Sequence, residues 1–146
     1  MELTVREIPP GDEDSVAGAL LELRPRHGTP AAVAAAAAAQ RPGGYRLLGA
    51  FDGDGPAAIA AAGFRVQTML VEGRVLYVDD LSTLPAARGR GAATALLREL
   101  DRIGRAEACT ALHLDSGVVP ERQAAHRRYF GHGMRIASFH FSKPLD

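Results

Sequence analysis

The chain has 146 residues, of which 47% are hydrophobic and 23% charged, and this composition is typical of one globular domain over residues 1–146. Its 17 basic and 17 acidic side chains cancel, so it lacks the excess positive charge that nucleic acids or anionic membranes require of a partner. The single cysteine, Cys109, excludes an intrachain disulfide and indicates no cysteine-ligated metal site. Because the net charge is zero, any polyanion must be bound by groups at one local site.

Targeting signals are not apparent in the sequence. The N-terminus lacks a basic region followed by an apolar core, and the alanine run at 31–39 is too short to cross a bilayer. We therefore expect a cytoplasmic protein. Lys143 is the only lysine among many arginines, and alanine, glycine and proline are abundant, a bias that favours a GC-rich bacterial genome.

Hydrophobic patterning and turn residues divide the first half of the chain into a strand, two helices and three strands. Asp12 and Thr29 are the expected helix caps, and Gly63 is a candidate bulge in the second of the three strands. The expected elements are a strand at 3–8, a helix between residues 12 and 25, a helix at 30–40, and strands at 45–51, 57–70 and 74–83.

The second half alternates helices and short strands. An amphipathic helix follows the turn at 85–91, and a strand at 111–115, a helix at 120–131 and a closing strand at 134–141 come after it. Together the elements predict an α/β fold with a mixed sheet flanked by helices. The alternating apolar pattern of 134–141 could form an edge that pairs with another subunit, which leaves a homodimer open.

The turn Arg88-Gly89-Arg90-Gly91-Ala92-Ala93 has the features of an anion site. It lies between a buried strand and a helix, where backbone amides and the helix dipole favour negative charge. Its glycines permit close approach of a pyrophosphate, and its two arginines can pair with the phosphate oxygens. Coenzyme A carries such a group. The alternative is a glycine turn that serves the backbone alone.

Other nucleotide motifs fit this turn poorly. It lacks the Gly-Lys-Ser/Thr ending of a P-loop, and it does not follow the first strand as a dinucleotide fingerprint does. Nucleoside triphosphates and NAD are therefore less favoured, although another phosphate ligand stays open as an alternative.

At this point the sequence resembles the GNAT superfamily of N-acetyltransferases. Arg88, Gly91 and Ala93 match the signature Arg/Gln-x-x-Gly-x-Gly/Ala, and the element order agrees over nearly the whole chain. The last helix resembles the family segment Asn-x-x-Ala-x-x-x-Tyr-x-x-x-Gly-Phe through Ala125, Tyr129 and Gly133. Two positions depart from that segment, namely Arg122 for asparagine and Met134 for phenylalanine.

The resemblance implies acetyl-coenzyme A as co-substrate and a sheet whose central parallel strands splay near 79–83 and 115–116. Main-chain groups of Leu81 and Thr83 would then pair with the pantetheine arm. The Arg122 guanidinium could reach a phosphate in place of the family's asparagine. The expected cofactor-binding residues are Leu81, Ser82, Thr83, Arg88, Gly89, Arg90, Gly91, Ala92, Ala93, Thr94 and Arg122.

Acetyl transfer to an amine requires a deprotonated nucleophile and a proton for the departing thiolate. The resemblance implies that Tyr129 is the general acid near the sulfur, whereas without it Tyr129 reads as an amphipathic core tyrosine. Asp79 and Asp80 interrupt a buried strand, and strand alternation predicts that only one of them faces a given cleft. We favour Asp80 as the amine-binding residue or base, the alternative being carboxylates that accept backbone or arginine hydrogen bonds.

A polar cluster near the acceptor is the further expectation. His113 and Asp115 share a strand face, and His126 lies on the next helix, so these three are substrate-binding candidates. Ser116 and Cys109 lack the local signatures of a nucleophile, and the histidines lack metal-ligand spacing. We therefore expect no metal, and direct attack of the amine without a covalent enzyme intermediate.

The acceptor is expected to be a small amine or a peptide. By analogy with the family, its site would be formed by the first two helices and the loop at 25–30. A protein or peptide N-terminus would need an open groove, whereas an amino acid, polyamine or aminoglycoside would fit a closed acidic pocket. The alternative function is a non-catalytic module that binds acetyl-coenzyme A and serves a partner, because fold does not dictate function.

Overall fold

The computed structural model describes residues 2–146. The chain divides into two compact units. The first unit ends at Leu114, and the second begins at Asp115. No helix in the described part of the chain is long and apolar enough to cross a membrane.

The first unit contains a five-stranded sheet and three helices. Its strands are β1 Leu3–Ile8, β2 Arg46–Asp52, β3 Ala60–Met69, β4 Gly73–Thr83 and β5 Ala111–Leu114, and its helices are α1 Ala17–Leu23, α2 Pro30–Ala39 and α3 Ala92–Ala106. The sheet order follows the chain order from β1 to β5. All neighbouring strands are antiparallel except β4 and β5, which are parallel. The expected mixed, mostly antiparallel sheet is therefore confirmed.

Each face of the sheet is covered by helices of the first unit. Leu47 and Phe51 of β2 belong to the same buried cluster as residues of α1 and α2. The alternate residues Leu48 and Ala50 are also buried, on the face that α3 covers. The amphipathic α3 buries Leu96, Leu97, Leu100 and Ile103. This packing holds the start of α3 firmly beside the sheet.

Local caps explain where the first helices begin. Thr29 caps α2 as expected, because its hydroxyl accepts a hydrogen bond from the Ala32 amide at 3.1 Å. The expected cap at Asp12 is wrong, because that carboxylate pairs with Arg6 at 3.1 Å and caps no helix. A 3-10 turn at Glu13–Val16 therefore precedes α1.

A bulge interrupts the pairing of β3 with β4. Gly63 is opposite Asp80, and Phe64 is opposite Val78, so Asp79 is the extra residue of β4. Pairing of β4 with β5 ends at Val78 and Leu114, before β4 itself ends. Beyond that point β4 pairs with β3 only, as far as the described residues show. β5 itself ends at Leu114, so the expected separation of the parallel strands near residues 79–83 and 115–116 stays a prediction.

The second unit contains one helix, α4 Gln123–Gly131, which follows a 3-10 turn at Pro120–Arg122. The predicted closing strand at 134–141 is wrong for the described structure, since no strand is formed there. Its alternating apolar side chains are exposed, with Phe139 86% and Phe141 91% accessible. A strand needs a partner for its backbone groups, and the second unit contains no other strand. The homodimer stays a prediction.

Candidate active site

The turn before α3 has two glycines in left-handed backbone. Gly89 has φ +80° and Gly91 has φ +81°, a conformation that side chains disfavour. A Cβ atom built on either glycine would meet no atom within 4 Å. Backbone geometry therefore requires both glycines, and the space beside each of them is open.

The first amides of α3 point out of the helix. Ala95 is the first residue whose N–H bonds back along the helix, to the Gly91 carbonyl at 2.9 Å. The amides of Ala92, Ala93 and Thr94 precede it, and no side chain caps this helix start. Three donors at the positive end of a 15-residue helix make a suitable site for phosphate.

The two arginines of the turn differ in their surroundings. Arg88 is exposed to solvent, where it can meet an anion. Arg90 instead pairs with Asp52 of β2, with Nη2 3.1 Å from Oδ2. The expectation that both arginines contact the pyrophosphate is thus supported best for Arg88, because Arg90 already has an anionic partner.

The end of β4 presents a main-chain edge. From Asp80 to Thr83 the strand pairs with β3 on one side, and β5 has ended on the other. Ser82 is buried, whereas Leu81 and Thr83 are partly buried. Backbone groups on that edge can pair with an extended chain such as pantetheine.

A cavity of about 220 Å³ opens between α1, α2 and the bulge of β4. The residues that line it come from α1, the 3-10 turn at Pro25–His27, α2, the bulge, and the positions just after α1, just after α2 and just before β2. They are Leu20, Arg24, Arg26, His27, Val33, Ala36, Ala37, Gln40, Tyr45, Asp79 and Asp80. The cavity lies where the resemblance implied an acceptor site, at the first two helices and the loop at 25–30, and cationic side chains line it as well as acidic ones.

Asp80 is held by two donors inside this cavity. The Tyr45 hydroxyl donates to Oδ2 at 2.6 Å, and Arg24 Nε donates to Oδ1 at 2.8 Å. Burial and the neighbouring carboxylates of Asp80 and Asp79 raise the pKa of Tyr45 far above its usual range. Tyr45 therefore stays protonated and donates permanently to Asp80.

Asp79 has a different environment. Its Oδ2 accepts a hydrogen bond from Arg65 Nε at 2.9 Å, whereas its buried Oδ1 has no hydrogen-bond partner. Burial raises the pKa of the Asp79 carboxyl, although the Arg65 guanidinium opposes that shift. A carboxylate with a raised pKa and an unused acceptor oxygen has the properties of a base.

The prediction that only one aspartate faces the cleft is wrong, because both line the cavity. Strand alternation assumes regular pairing, and the extra residue at Asp79 breaks it. The alternative of carboxylates hydrogen-bonded to arginine also describes the structure, since Arg24 and Arg65 both donate here. The two aspartates thus combine a structural role with a position in the cavity.

Sequence reasoning missed Tyr45 and Arg24, and it singled out Gly63 only as a candidate bulge. A Cβ at Gly63 would be 1.8 Å from the Tyr45 hydroxyl, so this glycine provides the room for the tyrosine that holds Asp80. Pairing of β2 with β3 brings Tyr45 and Gly63 together. The only signal in the sequence was an isolated glycine within a strand pattern, which indicates close approach of another group.

The remaining candidates belong to different units. His113 lies in β5, and its Nε2 is buried without a hydrogen-bond partner. Asp115 and His126 lie in the second unit, where His126 Nε2 is 2.8 Å from the Gly117 carbonyl oxygen and 3.0 Å from the Ser116 hydroxyl. His126 therefore fastens the loop before α4, and a shared cluster of the three residues stays a prediction.

Tyr129 and Arg122 also lie in the second unit. Tyr129 is partly buried on α4, and its hydroxyl makes no hydrogen bond inside that unit. Arg122 is the residue immediately before α4, with its side chain beside Gly117. Across residues 2–146, no group of three or more His, Cys, Asp or Glu side chains is arranged to hold a metal ion.

Comparison with known proteins identifies the domain. A model of the acetyltransferase (GNAT) family matches residues 15–134. No curated protein matches the sequence. The match covers β4, the glycine turn, α3 and α4, so it includes the elements on which the site is built.

Solved structures share the fold at low sequence identity. An acetyltransferase of Trypanosoma brucei is 22% identical, with a TM-score of 0.79 over 99% of this chain and 100% of that one. An aminoglycoside acetyltransferase from an uncultured soil metagenomic sample is 20% identical, with a TM-score of 0.80 over 100% of both chains. An aminoglycoside N-acetyltransferase solved with coenzyme A is 18% identical, with a TM-score of 0.79 over 99% of this chain and 95% of that one.

Proposed function

The chain belongs to the GNAT acetyltransferase family, and from that premise we propose that it transfers an acetyl group from acetyl-coenzyme A to a primary amine of a small molecule. The amine attacks directly while both substrates are bound. The observation that carries this proposal is the start of α3, where three amides without helix partners lie next to two glycines with open space beside them. A cavity that can hold an amine lies along the same strand, β4.

The residues of the first unit fit acetyl-coenzyme A. The amides of Ala92, Ala93 and Thr94 bind the pyrophosphate, with Arg88 adding charge from solvent. The edge of β4 at 81–83 binds the pantetheine arm through its main chain. The cofactor supplies an activated acyl group as a thioester. A coenzyme A-bound solved structure with this fold supports the assignment.

Replacement of Gly91 by valine tests the phosphate site. A β-branched residue at φ +81° strains the backbone by about 1–2 kcal/mol and fills the open space where an anion would approach. We expect the Kd for coenzyme A to rise about tenfold or more in calorimetry. Gly73→Val is the matched control, since Gly73, the first residue of β4, has φ +74° and equally open surroundings. Equal loss of affinity in both variants would contradict the assignment.

The cavity divides the acid–base work between two carboxylates. Asp80 is oriented by the Tyr45 hydroxyl and provides an anion for the ammonium form of the acceptor. Asp79 has the raised pKa and the unused oxygen, so it is better suited than Asp80 to accept the proton that the amine must lose. This assignment keeps Asp80 as the amine-binding residue that the sequence suggested and moves the role of base to Asp79.

The pH dependence of kcat/KM tests Asp79. A base must be ionised, and burial raises the pKa of Asp79, so kcat/KM should fall as pH drops through a value above about 3.9, the ordinary aspartate pKa. Asp79→Asn should remove this acidic limb and lower kcat. Asp80→Asn, at the neighbouring residue, should mainly raise KM for the amine. An unchanged acidic limb in Asp79→Asn would exclude Asp79 as the base.

Release of coenzyme A over a panel of primary amines tests the function as a whole. An enzyme should release free coenzyme A in proportion to acetylated product. A sensor should bind acetyl-coenzyme A without turnover for any amine or peptide in the panel. A protein that binds another phosphate ligand should be stabilised by ATP rather than by acetyl-coenzyme A. Either of the last two results would remove the proposed reaction.

A further inference from the structure

An exposed ion pair covers one carboxylate oxygen of the cavity. Arg24 donates to Asp80 Oδ1 at 2.8 Å and to the Asp79 carbonyl oxygen at 3.0 Å. The side chain of Arg24 is 47% exposed, whereas that of Asp80 is 16% exposed. Because the Arg24 side chain is about half exposed, water competes for its charge and another cation can compete with it for Asp80. Tyr45 would keep Asp80 in place during the exchange, because it is buried and binds the other oxygen.

The charges around the cavity do not favour a polycation. Arg24, Arg26 and His27 line the cavity together with the two aspartates. Asp79 is already paired with Arg65. Arg26 forms no ion pair with any described residue and is exposed. A ligand with several ammonium groups would therefore contact arginines as well as Asp80, and the like charges of ammonium and guanidinium repel each other.

We propose that the acceptor is a small zwitterion that carries a carboxylate next to its primary amine, of which an α-amino acid is the simplest case. Its ammonium replaces the Arg24 guanidinium on Asp80 Oδ1, and its carboxylate replaces Asp80 on Arg24. Arg26 can bind the second oxygen of the ligand's carboxylate. One ligand thus satisfies both halves of the opened ion pair, and no charge is left unpaired. This inference rests on the proposed function and narrows its acceptor.

The size of the cavity agrees with this acceptor. Its volume of about 220 Å³ is below the roughly 300–1,000 Å³ of pockets that enclose drug-sized ligands. Small alanines of α2, Ala36 and Ala37, form part of its wall. A multi-ring amino sugar would extend far outside this space, and a peptide N-terminus would bring no carboxylate beside its amine.

The acceptor test compares compounds that differ only in the carboxylate. Each of the 20 L-amino acids is assayed beside its amide, together with ethanolamine, spermidine and kanamycin, and kcat/KM is measured by release of coenzyme A. We expect kcat/KM for the best amino acid to exceed that for its amide by about tenfold or more, as a charge-assisted hydrogen bond of 1.5 kcal/mol or more provides. A better amide, polyamine or amino sugar would overturn the inference while leaving the proposed function intact.

The variant Arg24→Gln tests whether Arg24 binds the carboxylate of the acceptor or has only a structural role. The variant leaves Asp80 open to any ammonium and removes the partner of the carboxylate. We expect kcat/KM to fall for the amino acid and to rise for its amide, so that the preference is lost or inverted. Arg98→Gln is the matched control, because Arg98 is exposed on α3 outside the cavity. An unchanged preference in Arg24→Gln would overturn the inference.

A binding measurement separates the inference from the reaction. The thermal shift of the protein with coenzyme A is recorded with each amino acid and with its amide. If no amine is acetylated, the transferase function fails. In that case a larger Tm increase with the acid than with the amide, abolished in Arg24→Gln, would still support a zwitterion site. Equal shifts, or no shift, would overturn it.

Discussion

Replacing Tyr129 by phenylalanine is expected to lower kcat about a hundredfold or more, the usual contribution of a general acid. The family resemblance assigns this residue to protonation of the departing thiolate. Tyr129 lies on α4, partly buried, with a hydroxyl that is not used inside its own unit. Removal of one oxygen should leave the Kd for acetyl-coenzyme A nearly unchanged. Steady-state kinetics with calorimetry separates the two quantities.

Tyr45→Phe is the matched control for this change, since it also removes only a hydroxyl. Tyr45 holds Asp80, so its loss should raise KM for the amine more than it lowers kcat. Tyr129→Phe should instead reduce kcat and leave KM for the amine nearly unchanged. Full activity in Tyr129→Phe would take this residue out of the mechanism.

Gly63→Ala is expected to reduce the free energy of unfolding by about 2–4 kcal/mol, from overpacking and from disturbance of a hydrogen bond to a charged group. The new Cβ would be 1.8 Å from the Tyr45 hydroxyl and 2.4 Å from its ring carbon Cζ. The ring is buried, so it cannot turn aside without losing its bond to Asp80. Urea denaturation monitored by circular dichroism measures the loss.

Gly18→Ala makes the same chemical change where there is room. Gly18 lies in α1, and a Cβ there would meet nothing within 4 Å. Alanine favours helix over glycine by about 0.5–1 kcal/mol, so this variant should be slightly more stable than the parent protein. Similar stabilities for the two variants would show that Tyr45 yields easily, contrary to the expectation.

Much of the fold was predictable because its signals are local. The strand at 3–8, the cap at Thr29, the glycine turn and α3 all appear in the sequence as short-range patterns, and the structure confirms them. The irregularity expected at Gly63 occurs at that point of the pairing, but the extra residue is Asp79 of the partner strand β4 and not Gly63. Each of these features depends on residues within one or two turns of chain, which is the range that periodicity and capping describe.

The errors arose where distant residues decide the outcome. The alternating pattern at 134–141 formed no strand, since the second unit offers it no partner strand. Both aspartates face one cavity because a bulge reset the alternation of β4. The hydrogen bonds of Arg24 and Tyr45 to Asp80 join residues 56 and 35 positions apart. No local pattern contains such pairings.

The bulge in β4 also has a consequence for the choice of acceptor, which can change while the spacing between the acceptor and acetyl-coenzyme A stays the same. In the function that we propose, Asp80 binds the ammonium and Leu81 the pantetheine arm. These two residues are adjacent in β4, so the interval between the two proposed sites is one residue, a rise of about 3.3 Å. Segment 24–30, which supplies the arginines of the cavity, belongs to another part of the chain. Grafting a different sequence there should therefore redirect acceptor choice, while the spacing between donor and nucleophile is conserved by the covalent backbone.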